Sequence, residues 1–203
     1  MSRFFIILLA VLLSSCRPIG PDIFEKEPES KDARRPVVFD VITIRSSPKL
    51  ETFWESEMPD FIFCRSSGIS KSRAYQGVAY WRNLGYPIEN VRYVDDAPEC
   101  HLEETPGTVV IRLIDNTLPI GNHLAITKVF FYKDTKKIIR SNIYLIRSYA
   151  NRPRLIEHEI GHALGWRHYN RYLHVMNSEY DNTGHDSTGV NYRKYQELIL
   201  NFF

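Results

Sequence analysis

Hydrophobic and polar positions change period several times along the chain, and each change predicts an element. Phe4 to Leu13 is an almost unbroken apolar run. From Val37 to Arg45 branched residues dominate and predict a strand, and Asp60 to Cys64 reads as a shorter one. Between Ser70 and Leu84 the period becomes helical: Ala74, Val78 and Trp81 share a face, and Gly85 followed by Pro87 ends the pattern. Val91 to Val94 and Thr108 to Ile114 return to strand. Ala125 to Tyr132 and Ile138 to Ile146 are two more, joined across the polar turn Lys133 to Lys137. Asn151 and Pro153 offer a cap and a first-turn proline to a helix that starts near them, with Ile156, Ile160, Ala163 and Leu164 as its apolar stripe. Tyr195, Leu198, Ile199 and Phe202 mark a C-terminal helix. Strands and helices mixed in this way predict an α+β fold.

Composition divides the chain into three. Arg3 and the apolar run after it form a positively charged start and a segment too short to cross a bilayer of ~30 Å, which reads as an export signal. The run ends in Leu13-Ser14-Ser15-Cys16, which resembles the bacterial lipobox, so Cys16 is the expected site of lipidation and residues 1–15 the signal. Arg17 after the cysteine favours the outer membrane of the cell envelope. Residues 16–35 are charged and proline-rich, with Ile19 and Ile23 as their large aliphatic residues, and read as a flexible tether. Residues 36–203 are long enough for one domain with its own core. A formal charge of +2 over 203 residues, with no basic stripe, argues against nucleic acid as a partner. Removing Cys16 leaves Cys64 and Cys100, and two cysteines in an exported chain favour a disulfide.

The chemistry concentrates in HEIGHALGWRH, His158 to His168. His158 and His162 are four apart, so on a helix their imidazoles lie about 6 Å apart along one face, where one metal ion can sit between them. A catalytic zinc site takes three protein ligands and keeps a position for water. His168 is the candidate third ligand. It can reach the ion only if the helix stops and the chain bends back, and Gly165 permits that bend. Glu159 is displaced around the helix from the ligand line, so it can reach the water rather than the metal and act as general base. With seven histidines and ten glycines in the chain, chance gives HExxH on the order of one time in a hundred. Adding Gly165 and His168 takes this to on the order of one in a hundred thousand, so the pattern is read as a site.

HExxHxxGxxH resembles the zinc signature of the metzincin metalloendopeptidases, whose chain then passes through a tight turn bearing a methionine under the metal. Met176, eight residues after His168, stands where that turn is expected. Met176 to Tyr180 is similar to the matrixin branch, in which a Pro-x-Tyr segment walls the specificity pocket, with Ser178 in place of the proline; Tyr180 is the candidate pocket residue. The resemblance implies a mixed, twisted five-stranded sheet with an antiparallel edge strand, a zinc helix, a methionine turn and a C-terminal helix. In that order Ala125 to Tyr132 is the edge strand, and an extended protein or peptide substrate would add to it. The same order places Cys64 and Cys100 at one end of the sheet, as a disulfide requires. The Asp/Gly-rich loops that bind calcium in matrixins are not visible between residues 100 and 150.

Two functions are compatible with these residues. One is a monomeric zinc endopeptidase held at the cell envelope by the lipid on Cys16, with His158, His162 and His168 as ligands. The other is a lipid-anchored binding protein with a structural zinc. Structural sites are usually closed by a fourth protein ligand, and none stands at a suitable spacing. Glu159 also favours the enzyme, because a purely structural ion has no use for a base beside its water.

Overall fold

Residues 60 to 64 alternate faces as a strand must, so Phe61 and Phe63 point one way while Ile62 and Cys64 point the other. Both faces are covered, and all four side chains are buried. In the computed structural model, which describes residues 10–15, 47–55, 57–95, 97–102, 105–114 and 123–202, this segment is strand β2, Asp60–Cys64. The other strands are β1, Ala10–Ser15, β3, Val91–Val94, β4, Thr108–Leu113, β5, Ala125–Phe131, and β6, Ile138–Leu145. The helices are α1, Lys71–Asn83, α2, Pro98–His101, α3, Leu155–Ala163, and α4, Tyr192–Ile199. The fold is α+β.

The strands lie in the order β1-β5-β6-β4-β2-β3. The pairs β2/β3, β2/β4 and β4/β6 are parallel, and β5 runs antiparallel to β6. Strands β2 to β6 thus form the expected five-stranded mixed sheet. Two expectations are corrected. The sheet carries a sixth strand, and β5 is not its outermost one, because β1 pairs antiparallel with β5 from Ala10↔Phe131 to Ser15↔Ile126. An unpaired edge offers its amides and carbonyls to any extended segment, and here residues 10–15 take it. Cys16, the tether and the strand expected at Val37 to Arg45 lie outside the described residues. Among the described residues, no helix is long and apolar enough to cross a membrane.

One face of the sheet carries the main core. Phe61, Phe63, Val109, Ile111, Ile143 and Leu145 pack there with Ile156, Ile160, Ala163 and Leu164, the stripe expected of α3. The opposite face holds a smaller cluster of Ile62, Cys64 and Val110. A disulfide joins Cys64 to Cys100, on α2, across 36 residues, with Cα atoms 5.9 Å apart. Its reduction should lower stability by roughly 3–4 kcal/mol, because the unfolded chain regains the entropy of an open loop. Chemical denaturation with and without reductant would measure this, and coincident midpoints would refute it.

Helix α1 starts where the sequence indicates, since the Ser70 side chain accepts from the Arg73 amide. Helix α3 does not. Asn151 is spent elsewhere, its Oδ1 accepting from Ser70 N (2.8 Å) and its Nδ2 donating to Gly68 O (2.9 Å). The helix begins at Leu155 after Arg154, which takes a left-handed conformation at φ 64°. What fixes this start is tertiary: the buried Glu157 accepts from Arg73 and Arg154 together, joining α3 to α1. Trp81 of α1 adds a hydrogen bond from Nε1 to Glu157 O (2.8 Å).

Aromatic side chains tie the C-terminal helix to the far end of α3. Trp54 Nε1 donates to Ala163 O (3.0 Å), and the Trp54 amide donates to the hydroxyl of Tyr195 on α4 (2.7 Å). Trp166 Nε1 donates to the Tyr86 hydroxyl (2.7 Å), which donates in turn to Val190 O (2.9 Å). These bonds hold the segment after α3 against the core.

Candidate metal centre

His158 and His162 stand one turn apart on α3, both buried. Gly165, at φ +100°, then turns the chain back, and its carbonyl accepts from Glu51 N (2.9 Å). The turn brings His168 to the other two rings. His162 Nε2 lies 2.9 Å from His158 Nε2 and 3.1 Å from His168 Nε2.

The state of these nitrogens follows from their other contacts. His158 Nδ1 is 2.7 Å from Val175 O, and His162 Nδ1 is 2.7 Å from Trp166 O. Carbonyls only accept, so both Nδ1 atoms carry the ring proton and both Nε2 atoms present lone pairs. Lone pairs converging at this distance repel unless a cation lies between them. Burial, aided by His168, pulls the His158 pKa down to about 3. Burial, with His158 and His168 adding to it, lowers that of His162 well below its usual value, and burial takes His168 to about 4. All three rings are therefore neutral near pH 7, the form that binds metal. The three could hold one metal ion.

Glu159 is also buried. Its Oε2 lies 2.5 Å from the Thr127 hydroxyl on β5, and Oε1 has no partner among the described residues. Burial raises its pKa to about 8 against the lowering effect of Thr127. A buried carboxyl oxygen without a hydrogen-bond partner is costly, which fits a site built to receive a further group.

These depressed and raised pKa values have a consequence for the metal-free protein. Below about pH 6.5 the unfolded chain protonates its histidines, whereas the folded site refuses protons until about pH 4 or lower. Each ring thus contributes stability that is lost as pH falls through this window. Glu159 works the other way, holding a proton up to about pH 8 that the unfolded chain gives up near pH 4. Three imidazoles outweigh one carboxyl. The melting temperature of metal-free protein should fall from pH 7 to pH 4, and more steeply than that of His168→Ala; equal slopes in thermal scans would refute the assignment.

The segment after His168 forms a tight support. Met176 is fully buried, and a Cβ added at Gly161, between the two helical histidines, would overlap its sulfur and lie 2.9 Å from Trp81 Cζ2. Glycine at this point of the helix therefore has a packing reason. Met176 N donates to His174 Nδ1 (3.1 Å), so His174 carries its proton on Nε2 and donates to Thr188 O (3.1 Å). The turn also returns Val175 O to His158. Ser178 donates its amide to Asn170 Oδ1 (3.2 Å), a bond that a proline there could not make. The half-buried Tyr180 donates its hydroxyl to Pro153 O (2.7 Å), just before α3.

No family model, no curated protein and no solved structure matches this chain. Its function must be read from the site itself. The sequence singles out His158, Glu159, His162, His168 and Met176, and the structure brings the three histidines together, with Glu159 buried next to His158 on α3. It does not point to Thr127, because threonine in an apolar strand is ordinary β-sheet composition. Nor does it point to His174, whose hydrogen bond to the turn has no sequence pattern.

Proposed function

We propose that this protein is a zinc-dependent metalloendopeptidase. The convergence of the Nε2 atoms of His158, His162 and His168, with the buried Glu159 next to His158 on α3, carries the reading. His158, His162 and His168 would hold the ion. When bound, zinc lowers the pKa of a coordinated water to about 7 and polarises a peptide carbonyl.

The residues of the chain do the rest. Glu159 takes the proton of the attacking water on its carboxylate and later passes it to the departing amine, so its charge is restored at the end of the cycle. Val175 O and Trp166 O hold two of the imidazoles in the tautomer that binds metal, as the outer partners of metal-bound histidines commonly do. The resemblance to metzincins supports the same roles, with Met176 as the methionine of the turn and Tyr180 as the pocket residue. A protein substrate would lie extended along β5, a reading supported by that edge already carrying an antiparallel strand. Lipidation at Cys16, with export to the cell envelope, completes the proposal. Cleavage before Cys16 would remove β1 with the signal and free the edge for substrate.

The test is metal content beside cleavage. Purified protein beginning at Cys16 should contain about one zinc per chain and cleave fluorescein-labelled casein or members of a quenched peptide library. Phenanthroline should abolish cleavage and added zinc restore it. A protein that holds zinc and cleaves neither probe would be a binding protein instead.

A further inference from the structure

Strand β5 presents Ala125, Thr127, Val129 and Phe131 to the same face, and three of the four belong to the main core. Thr127 is the polar exception, with no exposed surface at all. A buried hydroxyl is costly unless bonded. Its nearest acceptor is Glu159 Oε2 at 2.5 Å, and the Glu159 carbonyl is a poorer one at 3.4 Å. Among the described residues this is the one hydrogen bond to the carboxylate, because Oε1 has none.

We infer that Thr127 is a positioning residue for Glu159, holding Oε2 so that Oε1 is the oxygen left to exchange the proton. The inference rests on Glu159 as the general base and adds what aims it. A glutamate has three side-chain torsions, and burial alone does not select one setting of them. One donor anchored on the sheet does. Thr127 also pairs through its backbone with Ser14 of β1, so it lies on the stretch of β5 where a peptide would dock. A peptide added there would be registered against the base by a single residue. Small errors in such an arrangement are expensive, since displacements of ~0.5–1 Å already cost rate.

Thr127→Val keeps shape and removes the donor, while Thr127→Ser keeps the donor. With fluorescein-labelled casein as probe, Thr127→Val should lower kcat by ~10- to 100-fold, with KM within about twofold and zinc content unchanged. Thr127→Ser should recover most of kcat. A purely structural threonine would give the opposite pattern, with Thr127→Val active or with both variants losing zinc or thermal stability alike. If Thr127→Val does not fold, Thr127→Ala is a second variant without the hydroxyl. Crystal structures of metal-free wild type and the hydroxyl-free variant test the geometry without activity. The Glu159 carboxylate should leave its wild-type place by ~1 Å or more, and a superposed carboxylate overturns the inference. A wild type that cleaves nothing overturns the proposed peptidase function, and these crystal structures still decide the role of Thr127.

Discussion

Glu159→Gln should keep its zinc and its fold while losing ~10²- to 10⁴-fold in cleavage rate, the usual contribution of a positioned general base. Glutamine has nearly the same shape and can still accept from Thr127, so packing is preserved. What it lacks is a carboxylate able to take a proton. His168→Ala should behave in the reverse order. It would leave His158 and His162 as two of the three proposed ligands, so zinc binding should weaken first and cleavage fail with it. Elemental analysis of both variants, beside casein cleavage, separates the roles. Zinc lost from Glu159→Gln would make Glu159 a ligand, and full activity in that variant would remove it from catalysis.

The second large effect is expected at Gly165. Its φ of +100° is one that L side chains rarely adopt, and an added Cβ would overlap the carbonyl of Thr52, which belongs to the backbone and cannot swing aside. Strain and overlap together predict that Gly165→Ala destabilises the domain by about 3–5 kcal/mol, at the upper end for one substitution. The same turn returns His168 to the other two histidines, so under the proposed function the variant that does fold should bind zinc more weakly than wild type. Thermal unfolding with metal removed, followed by zinc titration, measures the two effects separately. Unchanged stability would mean that the turn relaxes in a way this geometry excludes.

Much of the site is legible in the sequence because its rules are local. Four residues on a helix place His158 above His162, and the stripe from Ile156 to Leu164 sets the face that must be buried. A glycine three residues after His162 announces the bend. Strands β2 and β3 also match their expected bounds, since short branched or aromatic runs between turn residues have few alternatives. The start of α3 is different. Asn151 has the properties of a cap, but the contacts of Ser70 and Gly68 take its side chain, and the helix begins at Leu155 instead.

The sequence by itself therefore indicated most of the elements and the placing of His158, Glu159 and His162 on one helix, because these follow from periods of two and 3.6 residues within a few positions of one another. Only the tertiary structure decided how those groups are held. The Thr127 hydroxyl meets a carboxylate 32 residues away, Val175 O meets His158 across 17, and the Tyr195 hydroxyl meets the Trp54 amide across 141. It also decided that β1 occupies the outer edge of β5. Such contacts form between segments that no local period relates, and they are selected by which buried donors and acceptors the packed core leaves facing each other.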